Sequence, residues 1–177
     1  MALLTVGHGA AAAEAFESLV VGAGIRLVVD VRRFPGSRRH PQFARDELAR
    51  SLPKAGVEYR WEEPLGGRRS GVPDSPNVGL RNAAFRAYAD YMATPEFRTA
   101  LGRLLADTDH QPSAVMCAES LWWRCHRRLI ADAATLLHGV EVRHVMPDGR
   151  QQEHRPTDGA VAGDGQLVYR PPQPTLL

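Results

Sequence analysis

A chain of 177 residues with 44% hydrophobic content is long enough for one domain around a single core. Two cysteines cannot make a disulfide framework, and no run approaches the roughly 20 apolar residues of a membrane span. The formal net charge of +2 is too low for a sequence-independent binder of long nucleic acid, which normally carries a stronger basic surface.

In chain order, Leu3 to Val6 is a short apolar run that delivers the turn Gly7-His8-Gly9 and reads as a first strand. Ala11 to Val21 is predicted as a helix with Phe16, Leu19 and Val20 on one face, stopped by Gly22 and Gly24. Ile25 to Val31 has a β-branched run without alternation, as expected of a strand buried on both faces. It releases Asp30 and Arg32 together at its C-terminal end. Phe34 to Phe43 holds two prolines, a glycine and a serine and reads as a loop. Ala44 to Leu52 is predicted helical, closed by Pro53 and Gly56, and Val57 to Trp61 is a third strand. Glu62 to Asn77, rich in Gly, Pro and Arg, is long for a loop and is expected to be a mobile flap.

Arg81 to Met92 is a helix with Phe85, Tyr88, Ala89 and Met92 along one stripe. Thr94 caps another that starts at Pro95 and buries Phe97, Leu101, Leu104 and Leu105. Ser113 to Met116 is a fourth strand, a helix runs to about His138, Gly139 ends it, and Val140 to Val145 is a fifth. One further strand is expected at Gln166 to Tyr169. Strands alternating with helices give an α/β fold, a mainly parallel sheet of about five strands with helices on both faces in a Rossmann-like three-layer arrangement. The expected organisation is one domain over residues 1–170 and a C-terminal tail over 171–177. With no charged start leading into an apolar run, the expected setting is the cytoplasm, where both cysteines stay thiols.

The chemistry concentrates in Ala114 to Ile130, AVMCAESLWWRCHRRLI. Groups placed where a strand turns into a helix stand at the edge of an α/β sheet where ligands bind. Cys117, near a helix start and with Arg124, Arg127 and Arg128 in the vicinity, is a candidate nucleophile, against the alternative that a buried cysteine only packs. Were residues 117 to 125 helical throughout, the two cysteines would stand about 12 Å apart, too far to act together. Joint action therefore requires Ala118 to Arg124 to be a folded-back loop, with the helix starting near Cys125. His126 would then point inward beneath the site, or serve as a buried structural histidine. Glu119 and Asp30 are candidate acids or bases, or else ionic locks, Asp30 on an arginine and Glu119 on backbone amides. Cys-x7-Cys-His lacks a close ligand pair and needs a fourth ligand such as His8 or Glu119, so no metal and no cofactor are expected.

From Arg32 to Arg45 the chain carries Arg32, Arg33, Arg38, Arg39, His40 and Arg45 with no acidic residue, and guanidinium forks bind oxyanions in pairs. The expected anion-binding set is His8, Arg32, Arg33, Ser37, Arg38, Tyr59, Arg124 and Arg127. Tyr59, Trp61, Trp122 and Trp123 are available for stacking a base. The catalytic set is Cys117, Glu119, Cys125, His126 and Asp30.

TVGHG at Thr5 to Gly9, VVDVRRFPGSRRHPQF at Val28 to Phe43, VEYRWEEPLGG at Val57 to Gly67, FRAYADYMATPEF at Phe85 to Phe97, MCAESLWWRCHRRLIA at Met116 to Ala131 and EVRHV at Glu141 to Val145 stand in one order. Together they resemble the family catalogued as domain of unknown function 488. That family usually has serine where this chain has Gly9. The resemblance implies an α/β domain whose two cysteines matter, and no settled reaction. The layout, Asp-Val-Arg at one strand end and cysteine with arginine at another, is also similar to the sulfurtransferase and cysteine-phosphatase plan. The six residues between Cys117 and Arg124, with a carboxylate among them, depart from it.

Three functions follow: an enzyme on an anionic substrate, a nucleotide or nucleic-acid fragment; a thiol-dependent redox or sulfur-transfer enzyme using Cys117 and Cys125; and a non-catalytic anion-binding module. The expected partner is an anionic small molecule or nucleic acid, not a membrane.

Overall fold

The strands at the centre of the molecule are mostly apolar and buried on both faces, and this decides the architecture. In the structure, a computed structural model that describes residues 1–36 and 38–171, β1 (Leu3–Gly7), β2 (Leu27–Asp30) and β4 (Ser113–Cys117) are buried along their whole length. β3 (Glu58–Trp61) and β5 (Val142–Val145) flank them. Among the described residues these strands and β6 (Gln151–Glu153) form a six-stranded sheet in the order β3-β2-β4-β1-β5-β6. The first five are parallel, and β6 pairs antiparallel with β5.

Side chains alternate across the sheet and split the core in two. Leu4, Val6, Val28, Ala114 and Met116 pack with Phe16 and Val20 of α1 (Ala13–Gly22) and Leu48 of α2 (Arg45–Ser51). Leu3, Leu27, Val29, Val115 and Cys117 face α3 (Ala83–Met92), α4 (Pro95–His110) and α5 (Arg127–His138). The result is an α/β fold with helices on both faces, as the sequence rhythm predicts. Asn82 and Thr94 accept hydrogen bonds from backbone N–H groups at the starts of α3 and α4, which fixes where those helices begin. Among the described residues no helix is long and apolar enough to cross a membrane.

Three features differ from expectation. The sheet gains the antiparallel edge β6. Gln166 to Tyr169 is a strand, but it pairs with β7 (Ala160–Gly163) in a separate hairpin as β8 (Gln166–Tyr169). The stretch from Glu62 to Asn77 is fastened to the body. Tyr88 and Tyr91 of α3 donate to the Leu65 and Pro64 carbonyls, and Ser75 and Asn77 both donate to Asp90. Arg69 adds a guanidinium stacked over Tyr91 and a bond to the Gly66 carbonyl. The expected tail lies, but for Pro171, outside the described residues.

Candidate functional site

At the C-terminal edge of the parallel strands, β4 ends on Cys117 and the chain folds back before α5. Residues 118–121 are irregular, Trp122 to Arg124 make one turn of 3₁₀ helix, and α5 begins at Arg127. This is the folded-back loop that joint action of the cysteines requires, although the helix starts two residues later than expected. Trp122 explains the awkward tryptophan pair: it is buried and stacked at 4.0 Å on His144, while Trp123 stays exposed.

The loop is held from below by Arg127. Its guanidinium is 1% exposed and donates to the backbone carbonyls of Glu119 and Ser120, the latter at 2.9 Å. Arg127 is therefore a structural residue beneath the site and not the anion ligand expected from the sequence. Glycines let the loop close on β1. A Cβ on Gly7 would stand 2.0 Å from the Glu119 carbonyl oxygen, and one on Gly9 would stand 2.1 Å from Ser120 Oγ. The Ser120 hydroxyl thus fills the space that a side chain at residue 9 would occupy.

This fold brings Cys117, Cys125 and His126 together. Their two Sγ atoms and an imidazole nitrogen all lie within 4.8 Å of one another. His126 Nδ1 is 3.9 Å from Cys117 Sγ and 3.7 Å from Cys125 Sγ, while Nε2 meets the Val31 carbonyl at 3.1 Å. Both thiols are nearly buried and differ in acidity. The Cys125 thiol, donating to Cys117, pulls Cys117 well below the ordinary thiol range, against the opposing effect of burial and with help from His126 and the Glu119 backbone N–H. Burial, reinforced by the hydrogen bond and charge of Cys117, pushes Cys125 well above it.

These three residues form the floor of a cavity of about 490 Å³. Arg32, Arg33, Arg68 and Arg124 line it, as do Glu119 and the aromatic rings of Phe34, Phe85 and Tyr88. Tyr88 also packs edge-on against His126, with ring centroids 5.0 Å apart. Gly67 completes one wall, where a Cβ would meet the His126 ring at 3.0 Å. Seven of the expected residues therefore share one cavity: Cys117, Glu119, Cys125, His126, Arg32, Arg33 and Arg124.

The others are elsewhere. Asp30 is fully buried and saturated: it accepts from the Arg32 backbone N–H, from two guanidinium nitrogens of Arg32, and from the Tyr59 hydroxyl at 2.6 Å. Its carboxylate does not line the cavity, and the ionic-lock reading of the sequence describes its place. Tyr59 is spent on the same carboxylate, and burial together with Asp30 raises its phenol. His8 stacks on Phe43 and donates from Nδ1 to the Gly9 carbonyl, leaving Nε2 to accept from Arg32 at 3.3 Å. Burial lowers its pKa below the ordinary imidazole value, which suits that neutral acceptor role. Asp30 and His8 thus engage every guanidinium nitrogen of Arg32, and Tyr59 supports Asp30. Arg38 is exposed away from the cavity, and Ser37 lies outside the described residues. The expected stacking set is also displaced. Trp61 donates to the Arg32 carbonyl, Trp122 is buried, and none of Tyr59, Trp61, Trp122 and Trp123 lines the cavity. Phe34, Phe85, Tyr88 and Arg68 line the cavity instead. The apolar stripe of α3 marked Phe85 and Tyr88 as inward-facing, but nothing in their spacing distinguished a cavity wall from core.

Glu119 lines the cavity with its Oε1 turned back to accept from the Leu121 backbone N–H at 3.1 Å. That is the amide-capping geometry weighed for it as an alternative to catalysis.

No curated protein and no solved structure matches the chain. A family model described as "Domain of unknown function DUF488" matches residues 12–134, a span that contains β2, β3, β4, the arginine loop and both cysteines. On that match, which covers more than half of its length, the chain belongs to the DUF488 family.

Proposed function

We propose that the chain is an enzyme that binds an anionic substrate, a nucleotide or nucleic-acid fragment, in the cavity and acts on it with the groups of its floor. One observation carries this reading: four arginines line the same cavity as two thiols, an imidazole and a carboxylate. The volume falls in the range of small-ligand sites, roughly 300–1,000 Å³. Arg68 and Arg124 are exposed at the cavity. Arginine forks suit phosphate, and the accessible rings of Phe34 and Phe85 suit a base. The cytoplasm is the setting that keeps the two free cysteines reduced.

The test is calorimetric titration with inorganic phosphate and with mononucleotides. Arg68→Ala and Arg124→Ala are each expected to weaken binding about tenfold, close to 1.4 kcal/mol. Unchanged affinity in the double variant rejects the cavity as the anion site. Glu119→Gln is expected to bind normally and turn over poorly. Full biological activity in both Glu119→Gln and Cys117→Ser would instead make the protein a binding module.

A second reading has its own support: two sulfurs this close suit a reversible dithiol. It requires that mild oxidation consume both thiols together and that a reductant restore them.

A further inference from the structure

We propose that Cys117, Cys125 and His126 hold a single zinc ion, with the fourth coordination position open to the cavity. Two sulfurs and an imidazole nitrogen are the donor set that zinc prefers, with Zn–S about 2.3 Å and Zn–N about 2.0 Å. A tetrahedron of those bond lengths sets nitrogen and sulfur about 3.5 Å apart and the two sulfurs about 3.8 Å apart. The two nitrogen-to-sulfur edges here are 3.9 Å and 3.7 Å. The sulfur-to-sulfur edge is no more than 4.8 Å.

The surroundings fit the same ion. A metal-binding histidine is usually oriented by a hydrogen bond from its other nitrogen. Nε2–H of His126 donates to the Val31 carbonyl at 3.1 Å, which turns the Nδ1 lone pair toward the sulfurs. The Arg127 backbone N–H approaches Cys125 Sγ at 3.5 Å, a contact that suits a thiolate ligand. His126 Nδ1 stands nearly equidistant from the two sulfurs, as the third corner of a donor triangle around one ion requires. The sequence argued against a metal because Cys-x7-Cys-His has no close pair; the folded-back loop supplies the closeness that spacing could not.

The protein supplies three ligands. Glu119 is committed to the Leu121 amide and is not among the clustered donors, so it does not close the site. The fourth position therefore belongs to water or to an anionic oxygen of the substrate, the arrangement of a catalytic rather than a structural zinc. Only this identity of the fourth ligand rests on the anion-binding reading above; the metal itself does not.

The experiment is metal analysis of the full chain purified without chelator, followed by titration of the metal-free protein with cobalt(II) alone. About one zinc per chain is expected, together with thiolate-to-cobalt charge-transfer absorption and the intense d–d bands of a four-coordinate ion. Cys125→Ser and His126→Ala should each lose the charge-transfer intensity or shift the d–d bands, with circular dichroism checking that the variants fold. If a variant is unfolded, the wild-type cobalt spectrum decides by itself. Absence of charge-transfer absorption in reduced wild-type protein overturns the proposal, as does zinc bound while both thiols remain freely alkylated. Inorganic phosphate titration separates the two readings. Cobalt bound through thiolates without phosphate binding upholds the metal and removes the anion site; phosphate binding without the cobalt spectrum does the reverse.

Discussion

Gly7 is the last residue of β1 and the point where that strand meets the loop carrying the thiols. The loop passes so close that a methyl group on residue 7 would stand 2.0 Å from the Glu119 carbonyl oxygen and 2.9 Å from the Arg127 guanidinium. The obstacle is mainly backbone, which Arg127 in turn clamps, so the clash cannot be relieved by swinging a side chain aside. Gly7→Ala is expected to cost about 3 kcal/mol, the upper end of ordinary overpacking. Urea unfolding should show a lowered midpoint at unchanged slope. A midpoint within error of wild type would mean that the loop moves freely, and would remove the argument that Arg127 and Gly7 together fix the cysteines. The same reasoning explains why Arg127 misleads a reader of the sequence. Of the arginines near it in the chain, Arg124 is exposed at the cavity and Arg128 is half-buried against Thr157 and Phe85, and only the fold reveals that two carbonyls of a turned-back loop claim the Arg127 fork.

Among the elements, the stretch from Glu62 to Asn77 has the most direct bearing on the site, because Gly67 abuts His126 and Arg68 lines the cavity. Its composition reads as mobility, yet Asp90 on α3 gathers the Ser75 hydroxyl, the Asn77 amide and the Val72 backbone N–H onto one carboxylate. Asp90→Ala should release residues 71–77 while leaving the sheet intact. Hydrogen exchange is expected to accelerate there, with no change in β1, β2 or β4, and exchange that stays slow would show that Tyr88 and Tyr91 suffice to hold the segment. The contrast shows what the sequence can and cannot carry. Central strands and amphipathic helices were legible because apolar periodicity is local and strong. The Gln151–Glu153 strand was not, since it is three exposed polar residues whose only qualification is an edge to pair with. Within the site, the cysteines, His126, Glu119 and the nearby arginines were legible as reactive groups at strand ends. Phe34, Arg68, Phe85 and Tyr88 were not, because they reach the cavity through long-range packing that no spacing encodes.

Across the whole molecule, one buried polar chain joins parts far apart in sequence. The Thr5 hydroxyl donates to His144 Nδ1 at 2.7 Å, His144 Nε2–H to His154 Nδ1 at 2.9 Å, and His154 Nε2–H to Asp132 at 2.9 Å. Asp132 also accepts from the Tyr169 hydroxyl, which ties β8 to α5. In this order each imidazole uses one nitrogen as donor and the other as acceptor. Burial, followed by the charges of His154 and Arg127, pushes His144 down to about 3 from its ordinary 6.5. Between those values the unfolded chain binds a proton that the folded chain refuses, so stability is complete above about pH 6.5 and is lost as pH falls toward 3. His8, also lowered by burial, acts with the same sign. Thermal unfolding followed from about pH 7 to pH 5, above the range in which carboxylates titrate, should therefore show a falling midpoint in the wild type. His144→Gln keeps a donor and an acceptor but not the titration, so its midpoint will start lower and fall less steeply, by up to about 1.4 kcal/mol per pH unit. Parallel slopes in the two proteins would mean that His144 takes up its proton in the folded state, and that the chain from Thr5 to Tyr169 rearranges to accept it.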